Sequence, residues 1–291
     1  MSQSTYDAVT YRITEALEKG VVPWRKPWSE SYEVPCNAVS RRQYSGINLF
    51  LLSISPFRDH RWVTFTQARE LGGYVMPGEV SSLAIFWKQW KPEPREGERE
   101  SAIRRPIPVL KHYHLFNVEQ CEDLKLEQLA SPNKNSGTRI ETAEAVVRGM
   151  PDAPRIMEMS HSAWYRPKDD QVGMPPLERF SSADHYYATL YHELAHSTGH
   201  ERRLARKGIM EQIVFGSDSY GHEELVAELA SAYCCAAIGL DNSLEGDAAS
   251  YIGHWLSVLK HDHKAVIIAA SQAKRAADFI RGIKTEIVQP A

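Results

Sequence analysis

At 291 residues, with 43% hydrophobic and 24% charged side chains, the chain has the composition of a soluble globular protein and room for two ordinary domains. No apolar run approaches the ~20 residues of a membrane span, and Met1-Ser2-Gln3-Ser4 lacks the basic and apolar regions of a signal peptide, so a cytoplasmic protein without a membrane partner is expected. The net charge of −3 hides an asymmetry, because residues 1–120 carry 16 Lys and Arg against 13 Asp and Glu while the remainder carries 18 against 24; the bias is too small to establish nucleic-acid binding by itself.

In chain order, Tyr6, Val9, Ile13 and Leu17 have helical spacing and the pattern ends at Gly20. Two prolines then forbid a regular helix in Val22-Pro23-Trp24-Arg25-Lys26-Pro27-Trp28. Residues 47–54 are apolar and fit a buried helix or a strand equally well. Trp62-Val63-Thr64-Phe65 is β-like and leads into a short helix ending at Gly72-Gly73, and residues 83–87 and 107–116 read as two strands. The charged, Pro-containing tract Lys88–Arg105 between them reads as an exposed hairpin tip. Ala130-Ser131-Pro132-Asn133-Lys134-Asn135-Ser136-Gly137-Thr138 has linker composition.

Beyond it the pattern turns to long helices with a few short strands, with helices predicted over 141–149, 183–198, 221–238, 247–260 and 264–283. The fold class is therefore α+β, with an α+β unit at 1–125, a linker at 126–140 and a mostly helical unit at 141–291. Cys36, Cys121 and the adjacent Cys234-Cys235 form no metal knuckle and a poor disulfide framework, and read as small apolar residues in a reducing compartment.

The stretch with the most specific chemistry is His192-Glu193-Leu194-Ala195-His196. Residues four apart on a helix lie one turn above each other, so His192 and His196 can hold one metal ion. Glu193 is placed to take the proton of an activated water. Ala188, Thr189, Leu190, Leu194 and Ala195 make the surroundings helical, and Gly199 stands where the helix would end. A catalytic zinc site takes three protein ligands, and a third histidine ten residues after the first is excluded because that position is Arg202. His200 is a minor candidate. The 221–230 helix offers Glu224 and Glu228 four apart on one face. Glu224 is assigned as third ligand and Glu228 as the carboxylate behind a histidine ring, with the reverse left open. Tyr165, His222 and Tyr251 are candidate oxyanion stabilisers. This donor set favours Zn2+, with another divalent transition metal such as Mn2+ as the alternative.

Five of the seven tryptophans, Trp24, Trp28, Trp62, Trp87 and Trp90, fall within the first 90 residues. Trp24, Arg25, Lys26 and Trp28 alternate rings with cations; Arg41, Arg42, Tyr44 and Asn48 repeat the mixture, followed by Trp62. Bases stack on aromatic faces and phosphates meet Arg and Lys, so these nine residues are the candidate surface for single-stranded DNA. The competing reading places the tryptophans in the core.

The 22–28 segment, Asn37 with Tyr44-Ser45-Gly46-Ile47-Asn48, Arg61–Phe65 with Gln67-Ala68, and Phe116–Gln120 together resemble the N-terminal domain of ArdC-type antirestriction proteins, itself similar to the N-terminal region of TraC-type plasmid primases. Tyr165–Pro175, Tyr191–His200 and Glu223–Glu228 are similar to the zincin-like metallopeptidase domain that follows in that family. The resemblance reaches Tyr251–Leu256 and so covers nearly the whole chain; the charged insert 91–105 departs from it. It implies a plasmid- or mobile-element-borne protein that binds single-stranded DNA during conjugation and protects it from host restriction, with metal on His192, His196 and a glutamate of 223–228. Two other readings compete. One is a metallopeptidase acting on a host or plasmid protein, such as a restriction subunit or a repressor, with the N-terminal unit as docking module. The other is a DNA-binding shield with a non-catalytic metal.

Overall fold

Ser4 caps the first helix: its hydroxyl accepts the N–H of Asp7 while the Asp7 carboxylate accepts the N–H of Ser4, satisfying two donors that the first turn leaves unpaired. The computed structural model describes residues 4–25, 33–90, 107–126, 136–158, 161–210, 218–243 and 248–283. Helix α1 (Thr5–Glu18) is followed by β1 (Cys36–Asn37), α2 (Ile47–Ser53), β2 (Arg61–Val63), α3 (Phe65–Glu70), β3 (Tyr74–Val75), β4 (Ser82–Trp90), β5 (Ile107–Asn117) and β6 (Cys121–Glu122). Strands order as β1-β2-β5-β4, with β1 and β2 parallel and the other neighbours antiparallel; β3 and β6 form a separate ribbon.

Then come α4 (Ser136–Gly149), β7 (Arg155–Glu158), β8 (Trp164–Arg166), β9 (Gln171–Met174), α5 (Ala183–Ser197), α6 (Lys207–Met210), α7 (Asp218–Ile238), α8 (Ala248–His261) and α9 (Ala265–Ile280). The second sheet has the order β7-β9-β8. The molecule is α+β, as its sequence patterning predicts.

The ambiguous segment 47–54 is helical, and all its residues from Leu49 to Ser53 are buried. Strand pairing runs out to Trp90 and resumes at Ile107, so the first residues of the charged tract belong to β4; residues 91–106 lie outside the described residues. Of the stretch read as a linker, 127–135 lie outside them too, and 136–140 already belong to α4.

One apolar cluster runs through the whole chain. Val9, Ile13, Leu17, Trp24, Phe50 and Ile85 share it with Tyr191, Leu194, Leu225, Leu229, Trp255 and Val266. Trp24 sits at its centre, fully buried, edge-on to both Phe50 and Trp255. Its indole N–H donates to the Tyr251 hydroxyl at 2.9 Å and its carbonyl accepts from Asn242 at 2.9 Å, so the ring is buried without an orphaned polar group. Two smaller clusters, one around Val63 and Ala68 and one around Trp62 and Leu115, complete the sheet of the first half. The cysteines are free, and Cys234 and Cys235 are wholly buried in α7, where burial raises both thiols above their ordinary range.

Candidate metal centre

Helix α5 carries the two histidines, and its start and end are both fixed by side chains. The Ser182 hydroxyl accepts the N–H of His185 at the N-terminus. At the C-terminus the chain turns at Gly199, where a Cβ would come within 2.5 Å of Ile209. That close approach brings Arg206 back beneath the helix end, where it donates to the Ala195 carbonyl at 2.7 Å and the Thr198 hydroxyl at 2.6 Å. Helix α7 is buried from Leu225 to Ala236, so it runs through the core, and its carboxylates Glu223, Glu224 and Glu228 face the histidines of α5.

The imidazole Nε2 atoms of His192 and His196 stand 3.1 Å apart. The Glu224 carboxylate faces both, with Oε2 at 3.5 Å from His192 Nε2 and Oε1 at 3.4 Å from His196 Nε2. Ligand atoms of these three residues all lie within 4.8 Å of one another. Behind the rings stand two more carboxylates. Glu223 Oε1 accepts from His196 Nδ1 at 3.4 Å, and Glu228 Oε1 lies 3.8 Å from His192 Nδ1. A carboxylate can only accept, so Glu223 holds the His196 proton on Nδ1 and leaves the Nε2 lone pair toward the centre. Two imidazole nitrogens and a carboxylate converging on one point is an arrangement that a cation satisfies, and the donor set His-His-Glu suits a divalent transition metal.

Each backing carboxylate is itself held by an arginine. Arg206, buried, binds Glu223 with Nε at 3.0 Å and Nη2 at 2.5 Å. Arg25, from the segment between α1 and β1, binds Glu228 with Nη2 at 2.9 Å, and the Tyr251 hydroxyl donates to the same carboxylate at 2.9 Å. Burial works against the charge on Glu228 and Glu223, yet the arginines and histidines beside them hold both carboxyls below the ordinary range. Burial likewise opposes a charged His192, but the hydrogen bond it donates to Glu224 and the charges of Glu228, Glu193 and Glu224 raise it to about 9. A metal at Nε2 therefore competes with a proton there.

Glu193 is buried beside this cluster. Burial pushes its carboxyl up from the ordinary value, against the lowering effect of His192, His196 and the backbone N–H of Tyr165 on β8. Strand β8 is set at that distance by Gly173 on β9, its cross-strand neighbour, where any Cβ would meet the Trp164 ring at 2.4 Å. The Tyr165 hydroxyl donates to Asp170, which Arg203 also holds. Of the other candidates, His222 pairs with Gln272 on α9, Tyr251 is committed to Glu228, and His200 accepts the Arg202 N–H at 3.3 Å.

The residues singled out for single-stranded DNA are not brought together. Trp24 and Trp62 are 0% and 1% exposed, which leaves no ring face for a base. Arg25 is turned inward onto Glu228, and Asn48 pairs both of its amide groups with the backbone N–H and C=O of Ile85 at 2.8 Å, closing the free edge of β4. Arg41 and Arg42 are exposed and Tyr44 is half-buried on the surface of the first sheet. Lys26 and Trp28 lie outside the described residues. Glu223 and Arg206 had no role in the sequence reading. Glu223 is adjacent to Glu224 yet points to the other side of His196, and nothing local in Arg206 marks it as buried.

A helix-borne pair of histidines closed by a glutamate from a later helix, with a carboxylate following the first histidine, defines a zincin-like metal site. Residues 141–272 match the zincin-like metallopeptidase family MPTase-PolyVal, and residues 3–116 match the N-terminal domain of anti-restriction factor ArdC. A crystal structure of the antirestriction ArdC protein from plasmid R388, in its Mn(II)-bound form, superposes with a TM-score of 0.75 at 32% identity, covering 98% of this chain and 100% of that one. Its metal-free form superposes equally well. The chain belongs to the ArdC antirestriction family. It is also 31% identical to the uncharacterized protein y4eC of Sinorhizobium fredii (strain NBRC 101917 / NGR234) over 97% of this chain and 92% of that protein. Two Escherichia coli proteins named DNA primase TraC are 31% and 30% identical to it over 98% of its length, and the chain spans only 28% and 20% of theirs. No described helix is long and apolar enough to cross a membrane.

Proposed function

We propose that this chain is an antirestriction protein of a plasmid or mobile element. In this reading, residues 1–125 bind single-stranded DNA, and residues 141–291 carry a divalent-metal, peptidase-like centre. The antirestriction part is supported by the full-length similarity to the R388 protein. The observation that carries the metal centre is the convergence of His192 Nε2, His196 Nε2 and Glu224 on one point, with Glu193 buried beside them.

His192, His196 and Glu224 would hold the ion, zinc being favoured by the nitrogen donors and Mn2+ being the alternative suggested by the relative. When bound, a divalent ion supplies a Lewis acid that polarises a carbonyl and lowers the pKa of water. The protein's own residues do the rest. Glu193 takes a proton from the attacking water and returns it to the leaving amine, a role that its raised carboxyl pKa suits, while Glu223 and Glu228 keep the rings oriented. A protein of the host restriction system is the substrate class that fits both the peptidase-like centre and the antirestriction role.

Metal content and peptide hydrolysis of the purified wild type and Glu193→Ala test this reading. The wild type should hold about one equivalent of metal, and Glu193→Ala should keep it while losing hydrolysis. Metal loss in that variant, or undiminished hydrolysis, would refute the assignment. Plasmid transfer into restricting and non-restricting recipients, with and without each variant, reads out whether the centre serves antirestriction.

A further inference from the structure

Two of the rings that the tryptophan-rich segments offer, Trp24 and Trp62, are buried, and the first half exposes other aromatic side chains. Strands β4 and β5 form a long two-stranded ribbon, and neither contains an Asp or Glu. Cross-strand partners share a face, so Ser82/Leu115, Ala84/Tyr113, Phe86/Lys111 and Lys88/Val109 lie on one side. Near its base that side is covered, with Leu115 and Ala84 fully buried against Trp62 and Leu52. Further out it opens: Phe86 is 39% exposed, and Lys88 and Lys111 are exposed. The Phe86 and Tyr113 rings are 5.2 Å apart. Tyr44 packs on the same small cluster as Tyr113, and Arg42 is exposed two residues before it.

We propose that this face, with the row Tyr44–Tyr113–Phe86 flanked by Lys88 and Lys111, is where single-stranded DNA lies. The inference rests on the reading above that the chain binds single strands, and adds the place. Its chemistry is that of a stacking platform: rings rooted in a core cluster and open at the outer side, cations beside them, and no carboxylate on either strand to repel phosphate. A duplex keeps its bases stacked on each other and offers no ring face to such a row, so the occupant is a single strand. The opposite side of the ribbon is different in kind. Leu83, Ile85 and Leu110 there join the main core, and Trp87 projects beyond them, 53% exposed.

Fluorescence anisotropy of the full chain with a labelled oligothymidylate, over a range of salt concentrations, tests the assignment. Phe86→Ala should weaken binding about fivefold or more, the loss expected for one base that no longer stacks. Lys88→Gln combined with Lys111→Gln should flatten the salt dependence by about 1.4 in log–log slope, about 0.7 per phosphate contact on a single strand. Trp87→Ala, on the other side, should stay within about twofold of wild type. All four positions are exposed, so unchanged thermal unfolding is expected and separates lost contact from lost fold. If the wild type binds and both Phe86→Ala and the lysine pair bind as it does, or if Trp87→Ala alone abolishes binding, this placement is wrong. If the wild type binds no single strand, the DNA-binding reading itself fails.

Discussion

Arg25 donates to the Glu228 carboxylate at 2.9 Å although 203 residues separate them in the chain, and Glu228 in turn faces the Nδ1 atom of His192. A guanidinium from the first half thus neutralises the carboxylate that faces a candidate metal-ligating ring in the second. Arg206, Glu223 and His196 repeat the arrangement on the other side. Each ring is backed by an acid, and each acid by a base.

Arg25→Ala leaves Glu228 buried without its cation, and the expected cost is about 3 kcal/mol. Urea unfolding should show a lower midpoint at unchanged slope. Glu228→Gln in the Arg25→Ala background should recover part of that loss, because the uncompensated charge is then gone. Additive losses in the double variant would show that the two side chains do not act on each other.

Carboxylates that orient metal-bound histidines typically change affinity by about 10–100-fold when altered. Glu223→Gln and Glu228→Gln are expected to lower metal affinity by that order while still binding one equivalent at saturation. His192→Ala, His196→Ala and Glu224→Ala should bind no stoichiometric metal. Competition with a chromophoric chelator distinguishes the two groups, and a Glu223→Gln variant with wild-type affinity would remove Glu223 from the site.

If the proposed centre holds a metal, chelation should lower stability, because only the folded arrangement brings the three candidate ligands of α5 and α7 together. At a free metal concentration of about 100 times the Kd the folded state gains about 2.7 kcal/mol, so treatment with a chelator should remove that much and lower the thermal midpoint. Glu224→Ala should unfold at the same temperature with or without chelator.

Asp170 gives the pH dependence. Burial opposes its charge, but the Arg203 guanidinium and the Tyr165 hydroxyl hold its carboxyl below the ordinary range. A depressed folded pKa means stability that is complete above the unfolded value near 3.9 and is lost as pH falls through the lower folded value. Asp170→Asn keeps the left-handed backbone that this position adopts, with φ of 48°, and removes the charge together with one of the two oxygens that accept from Arg203 and Tyr165. It should cost about 2 kcal/mol at neutral pH, and the gap from wild type should close below about pH 4. A gap constant from pH 7 to pH 2 would mean that the ion pair with Arg203 contributes nothing.

Gly173→Ala adds a methyl group where Trp164 already lies within 2.4 Å, so β8 must move or the ring must turn. The expected destabilisation is about 1–3 kcal/mol. Because β8 also carries the Tyr165 backbone N–H that helps lower the Glu193 carboxyl, any peptidase activity should fall further than metal content does.

What was legible in the sequence follows from which interactions are local. The helix of His192 and His196 shows in the sequence because helical periodicity alone puts both rings on one side, and α7 shows because an alanine-rich run carries two acids one turn apart. The β4–β5 pair was also visible as two apolar runs flanking a charged tract. The sheet β7-β9-β8 was harder, since its strands are three or four residues long and carry little alternation. Trp24 and Trp62 were ambiguous because a tryptophan beside cations reads the same in a core and on a surface, and only packing against Phe50, Trp255 or Leu115 decides it. The places of Arg25 and Arg206 beside the histidines are not legible for a different reason: their carboxylate partners lie 203 and 17 residues away, and no spacing rule links them.

Trp24 and Arg25 also bear on how such a protein can be rebuilt. A chimaera that takes its first 116 residues from one relative and the rest from another must match at this seam: a ring at 24 that fits between Phe50 and Trp255, and a cation at 25 that meets an acid at 228. Without that match the graft would join two well-formed halves around a hole and an unanswered charge, so the two segments are exchangeable only as a mated pair.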